Sequence, residues 1–147
     1  MADPKQLGKV LVMVDKQLEQ ANLALRQARS TVDALQQQMQ QLQNYRWDYI
    51  KQAQNKKGGT LQASEYQQFH FYISKLDSTI TQHVAKQRQA QEAVQQKQQD
   101  WQQAKQRQQA LQLLIDNAEQ QRRSAEAKRE QSALDEFSTQ QYLRRQR

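Results

Sequence analysis

At 147 residues the chain has room for one domain, yet only 36% of it is hydrophobic and its mean hydropathy is −1.15, too little apolar side chain for a thick globular core. The net charge of +7 is spread as excesses of +2, +3 and +2 over residues 1–54, 55–118 and 119–147, so no segment carries the concentrated basic patch of a nucleic-acid binder. With no cysteine there is neither a disulfide framework nor thiolate chemistry, and no apolar run is long enough for a signal peptide or a membrane span. Two forms remain: a disordered chain, or long helices sharing one narrow seam. Glutamine makes up roughly a quarter of the chain, interleaved with Ala, Leu, Lys and Arg, which favours a soluble helix surface over an aggregating tract.

Asp3-Pro4-Lys5-Gln6 reads as a helix start, with Asp3 as cap and Pro4 in the first helical position. A first helix over about 4–53 then carries Leu7, Leu11, Val14, Leu18, Ala21, Leu25, Ala28, Val32, Leu35, Met39, Leu42, Arg46 and Tyr49. The steps alternate between four and three, the mark of a coiled-coil seam, and only Arg46 departs from apolar or aromatic character. Such a stripe needs a partner to cover it.

The stripe stops at about 54–63, where Gly58-Gly59 offers a place to reverse direction without a Cβ penalty. Ser64-Glu65-Tyr66-Gln67 fits a capping box, with Ser64 as N-cap and Gln67 three residues on. A second helix over about 64–140 repeats the rule through Tyr66, Phe69, Ile73, Leu76, Ile80, His83, Gln87, Ala90, Val94, Lys97, Trp101, Ala104, Gln108, Leu111, Ile115 and Ala118. Two seams of this length argue against disorder. The expected fold is all-α: two long helices in an antiparallel coiled-coil hairpin, paired about a point between Thr60 and Leu61. The second helix then outruns the first after about 118, by about 40 Å if it stays helical at 1.5 Å per residue.

Catalytic chemistry is hard to assemble from this chain. His70 and His83 have no carboxylate or second histidine at ligand spacing, which argues for seam or surface positions and against a metal site. Gly58-Gly59 lacks the Lys-Ser/Thr of a phosphate loop, no Ser-His-Asp grouping can be drawn, and two helices enclose no pocket. No catalytic residue, cofactor or metal is expected.

What the chain does have is a cluster of aromatics around the bend: Tyr45, Trp47, Tyr49, Tyr66, Phe69, Phe71 and Tyr72. They face several directions, so a two-helix seam cannot bury them all. They either wrap the end of the hairpin or form a docking surface. Two quartets sharpen the second option. Gln38, Leu42, Tyr45 and Tyr49 step 4-3-4 along the first helix, and Tyr72, Leu76, Thr79 and His83 do so along the second. The antiparallel register brings both to one level beside the seam.

At these residues the chain resembles the FliJ family of flagellar type III export proteins. The resemblance rests on Gln38…Leu42-x-x-Tyr45-x-x-x-Tyr49 and on Tyr72-Ile73-x-x-Leu76-x-x-x-Ile80-x-Gln82-His83. Trp101 with Lys105-Gln106-Arg107, and Asp135-Glu136-Phe137 near the end, extend it. Tyr72 and Thr79 stand where the family usually has Phe and Ala. The resemblance implies a non-enzymatic coiled coil similar to the central stalk of rotary ATPases. Such a protein inserts into the hexameric export ATPase and promotes its assembly, contacts the membrane protein of the export gate, and escorts export chaperones. By the same resemblance, Gln38, Leu42, Tyr45, Tyr49, Tyr72, Leu76, Thr79 and His83 are the gate-binding residues. The protein is then peripheral on the cytoplasmic side of the inner membrane at the flagellar base, in service of motility and chemotaxis. Arg122, Arg123, Lys128 and Arg129 on the overhang are candidates for an acidic ATPase-ring interior, set against an ordinary solvated helix face.

Three other readings stay open. The equivalent stalk of a virulence-type secretion system differs at the quartets alone. A plain coiled-coil scaffold predicts indifference to quartet substitutions, and nucleic-acid binding predicts steep salt dependence. Two chains pairing antiparallel would satisfy the same seams as one folded back.

Overall fold

The computed structural model describes residues 3–55 and 63–146. The expected bend at Gly58-Gly59 lies outside the described residues. Two helices account for nearly all the rest: α1, Pro4–Asn55, and α2, Ala63–Arg145. They pack against each other as the two seams require.

Asp3 starts α1 as its sequence predicts. Its Oδ1 accepts from the Lys5 amide at 3.1 Å, satisfying a donor that a helix start otherwise leaves to water, and its carbonyl accepts the first i→i−4 bond, from the Leu7 amide at 3.0 Å. Helix α2 begins two residues earlier than its capping box implies. Ala63 is already helical, which puts Ser64 inside the first turn, a displacement within the ordinary scatter of helix ends.

The chain divides into two compact units, Gln20–Trp101 and Met1–Glu19 with Gln102–Arg147. Within Gln20–Trp101 the helices run in opposite senses. His83 meets Leu35, Asp77 meets Arg46, and Tyr72 meets Tyr49, each within three residues of the predicted register. Three side chains among the described residues are buried outright, Leu25, Met39 and His83, and all belong to this unit. A seam residue of a two-helix pair is covered by the facing helix alone, so half-burial is the rule. Every position of the predicted α1 seam, Arg46 included, is at least half-buried. In α2 only Tyr66 and Lys97 of the predicted seam are exposed. Lys97 has a long aliphatic stem that can lie along the seam while its ammonium stays in water.

In the other unit, Leu7, Leu11, Val14 and Leu18 of α1 and Ala104, Gln108, Leu111, Ile115 and Ala118 of α2 are half-buried. Gln108, a polar seam position, donates to Asp15 Oδ1 at 2.8 Å. From Glu119 to Arg145 every residue is exposed while the helix continues. Local terms hold it there. Ala125, Ala127, Lys128 and Glu130 have high helix propensity, and Glu119 and Arg123 form an i,i+4 pair at 3.6 Å in the favourable order.

Candidate functional site

The two quartets lie within Gln20–Trp101, and heptad spacing sorts their members. Gln38 and Tyr45 are seven apart on α1, Tyr72 and Thr79 seven apart on α2, and all four are exposed. Leu42, Tyr49, Leu76 and His83 occupy seam positions; the first three are half-buried and His83 is buried. The eight residues therefore form two layers, an outer row that solvent reaches and an inner row that carries it.

Tyr49 joins the layers. Its ring stacks on Phe69 at 5.3 Å between centroids, with 6° between planes. It also meets the ring of Tyr72, at 4.3 Å and 35°. Such pairs contribute about 0.5–1.5 kcal/mol beyond the area they bury. Tyr45 and Tyr72 keep 64% and 45% of their surface exposed, enough to offer both rings to a partner. Thr79 turns its hydroxyl back onto its own helix, donating to the Lys75 carbonyl at 3.0 Å.

His83 does not belong to the exposed face. It is 7% exposed, and its Nε2–H donates across the seam to the carbonyl of Leu35 at 2.7 Å. Because a helical carbonyl points toward its own C-terminus, the Leu35 oxygen lies nearer the level of Gln38, the residue that the predicted register sets against His83. The opposite helix covers His83, as its place in the predicted seam implies, and sets it apart from the exposed row.

The other flank of the same unit has a different character. Tyr45 immediately precedes the seam position Arg46 and Ile50 immediately follows Tyr49, so Tyr45 and Ile50 lie on opposite flanks. On the Ile50 side, Arg46 Nε donates to Asp77 Oδ1 at 2.7 Å. The hydrogen bond to Asp77 and then its charge hold the Arg46 pKa above the ordinary value, against a small opposing effect of burial. Asp77 is the partner that sequence reasoning missed; its signal was an acid directly after the seam residue Leu76, at the level of the one basic position in the α1 seam. An open cleft of about 350 Å³ follows, lined by Ile50, Phe69, Ile73 and the rim residues Tyr66 and His70, among others. Trp47 and Phe71 are exposed, each with a lysine of its own helix over the ring: Lys51 at 5.4 Å and Lys75 at 5.6 Å.

The four basic candidates for a ring contact lie in the unit Met1–Glu19 with Gln102–Arg147, and all are exposed. Arg122 pairs with Glu126 at 3.2 Å and Arg123 with Glu119 at 3.6 Å, so two of the four share their charge with a neighbouring acid. Among the described residues no cluster of His, Asp and Glu converges as metal ligands, and no helix is long and apolar enough to cross a membrane.

Among curated proteins, none matches the chain closely enough to count as a relative. A family model does match it. The model of the flagellar FliJ protein covers residues 4–147, essentially the whole chain, both quartets included. The protein is therefore a member of the FliJ family, flagellar proteins associated with type III export.

Proposed function

We propose that the protein is a non-enzymatic, stalk-like component of the flagellar export apparatus. It binds the export ATPase ring and promotes its assembly, contacts the membrane protein of the export gate, and escorts export chaperones. It works from the cytoplasmic side of the inner membrane, without crossing it. The gate contact uses the two quartets. Tyr45 and Tyr72, with Gln38 and Thr79, meet the partner, and Leu42, Tyr49, Leu76 and His83 support them from the seam. The stretch of α2 after Ala118 overhangs the paired helices and enters the ATPase ring, with Arg122, Arg123, Lys128 and Arg129 toward acidic groups there.

The observation that carries this reading is the aromatic step from Tyr49 to an exposed Tyr72, 4.3 Å between rings, in a chain of this family. A rigid ring exposed beside a packed one is the arrangement that interface hot spots favour. The test is a pull-down of the full-length protein against the export ATPase and against the cytoplasmic region of the gate protein. Tyr45→Ala and Tyr72→Ala should each weaken gate binding about tenfold or more, leave ATPase binding intact and keep wild-type helicity by circular dichroism. Undiminished gate binding in both variants removes the site assignment. In the same preparation the protein should stimulate the ATPase while hydrolysing nothing alone.

A further inference from the structure

In the unit Met1–Glu19 with Gln102–Arg147, α1 has five apolar residues in a row, Val10 to Val14, and α2 has three, Leu113 to Ile115. A seam takes one residue in three or four, so such runs put apolar side chains on the outside as well. Leu11, Val14 and Ile115 face the seam and are half-buried. Val10, Val12, Met13, Leu113 and Leu114 do not, and they keep between 46% and 62% of their surface exposed. A helix that is apolar all round is one that something covers.

These five residues lie at one level. The bond from Gln108 to Asp15 fixes the local register; five residues back from Asp15 is Val10, and five on from Gln108 is Leu113. They also point in different directions. Val10 and Leu114 each precede an a-type seam position, Leu11 and Ile115, so they share one flank, with Met13 beyond them. Val12 follows Leu11 and turns the other way, and Leu113 sits on the outer side of α2. Exposed polar residues, Lys9 and Lys16 on α1 and Arg107 and Asp116 on α2, stand on either side along the axis. The apolar surface is therefore a band across the helix pair, about 6 Å tall, where a groove-binding or membrane-lying helix has a stripe along its axis. Gln112, bonded to Asp116, interrupts it.

The band exposes roughly 500 Å² of apolar surface, a size at which a patch on a single chain is often functional. A flat partner, a second copy included, would cover one side and about half of that, against about 800 Å² per partner in a stable complex. Covering all of it takes a partner that surrounds the pair. Gly8 adds a second observation. It lies one turn from Val12 on the same face, and a glycine there weakens the helix. Among the described residues nothing stands within 4 Å of where its Cβ would be, so nothing in the unit requires the missing side chain. A surface pressed close from outside does.

We propose that an apolar opening of the ATPase ring grips this band from all sides, with Val10, Val12, Met13, Leu113 and Leu114 as the contact side chains. That the partner is the ATPase rests on the function proposed above; that the band is enclosed does not. The grip is set by apolar area, and the basic residues beyond Ala118 are secondary to it.

The test titrates the full-length protein against the hexameric export ATPase, reading affinity and stimulation. Val10→Gln with Leu114→Gln removes one side of the band, and Val12→Gln with Leu113→Gln removes the other. Glutamine suits an exposed helix position, so circular dichroism should match wild type; alanine at the same pairs, a still better helix former, is a second form. Each pair should weaken ring binding about tenfold or more. Leu23→Gln, which replaces an equally exposed leucine of the other unit, should leave it unchanged. Going from about 0.1 M to about 0.5 M salt should change wild-type affinity less than about threefold, because salt screens charges. Loss from one pair alone means a flat partner and overturns the inference. So does wild-type binding in both pairs, a larger salt effect, or a dimer of the chain alone that either pair dissociates. If wild type itself neither binds nor stimulates the ATPase, the proposed function falls and the ring assignment with it.

Discussion

The two units are built from the same kind of seam and differ in what fills it. Gln20–Trp101 contains Leu25, Met39 and His83, the three buried side chains, at 5%, 9% and 7% exposure. It also has a cross-helix ion pair, a stacked aromatic pair and a side-chain bond to the opposite backbone. Met1–Glu19 with Gln102–Arg147 contains no buried residue among those described. Its α2 seam leans on Ala104, Gln108 and Ala118, small or polar residues that leave their leucine neighbours half-covered. The heptad pattern makes two helices pair; the size and polarity of a few occupants decide how firmly. Cohesion and the candidate docking face sit together in one unit, and the long exposed stretch of α2 sits in the other.

The strongest way to break this comparison is to remove matched seam residues. Leu25→Ala in the first unit should destabilise by about 2–3 kcal/mol, at the lower end for core leucines because solvent can collapse into a seam cavity. Leu111→Ala in the second should cost about 1 kcal/mol, since less of its side chain leaves water on folding. Chemical denaturation followed by circular dichroism reads both. Equal losses would mean that burial does not distinguish the units.

Hydrogen exchange sharpens the same contrast without a mutation. Amides around Leu25, Met39 and His83 should be the slowest of the chain, and those from Glu119 to Arg145 the fastest within helix, because a helix with no covered face has marginal stability in water. Leu134→Gln, in that stretch, should shift stability by no more than about 0.5 kcal/mol.

Most of the pairing was legible in the sequence because it is a matter of period. Every α1 position that the steps of four and three named is covered, and they set an antiparallel register that Leu35–His83, Arg46–Asp77 and Tyr49–Tyr72 obey within a turn. Tyr66 and Lys97 show where period alone fails. Tyr66 sits in the first turn of α2 and turns its ring toward His70 on its own helix, centroids 4.3 Å apart, and Lys97 keeps its charge in water. The candidate site was half-legible. Spacing set Leu42, Tyr49, Leu76 and His83 in the seam and the other four beside it, while the gate-binding role of all eight came from the family resemblance; what spacing could not give is what His83 bonds to. Its true partner is a backbone carbonyl, which leaves no trace in a pattern of side chains. Arg46 looked like a flaw in the stripe for a related reason: what explains it, Asp77, lies on the other helix.

A polar seam residue in the looser unit offers a smaller test. Gln108 donates to Asp15, an exposed side chain that water can satisfy equally well. Gln108→Leu should therefore stabilise that unit by about 0.5–1 kcal/mol through added apolar cover, seen as slower exchange at neighbouring amides. Loss of stability would show that the glutamine's bond to Asp15 outweighs the apolar cover a leucine adds.

The smallest effect belongs to Arg46 and Asp77. Their side chains remain 40% and 49% exposed, so solvent screens the attraction and little stability depends on it. The arginine's pKa is raised by the bond and charge of Asp77. A raised value means that the contribution of Arg46 is complete below its unfolded pKa and fades only as pH climbs through the still higher folded one. Between about pH 6 and about pH 9 the arginine therefore adds no pH dependence, since it stays charged in both states. Salt is the variable that acts. Arg46→Met should lower the melting temperature slightly in dilute buffer, and the gap to wild type should close near about 1 M salt, where the screening length is about 3 Å. A gap that survives such salt would mean that the pair contributes through its hydrogen bond and packing, despite its exposure.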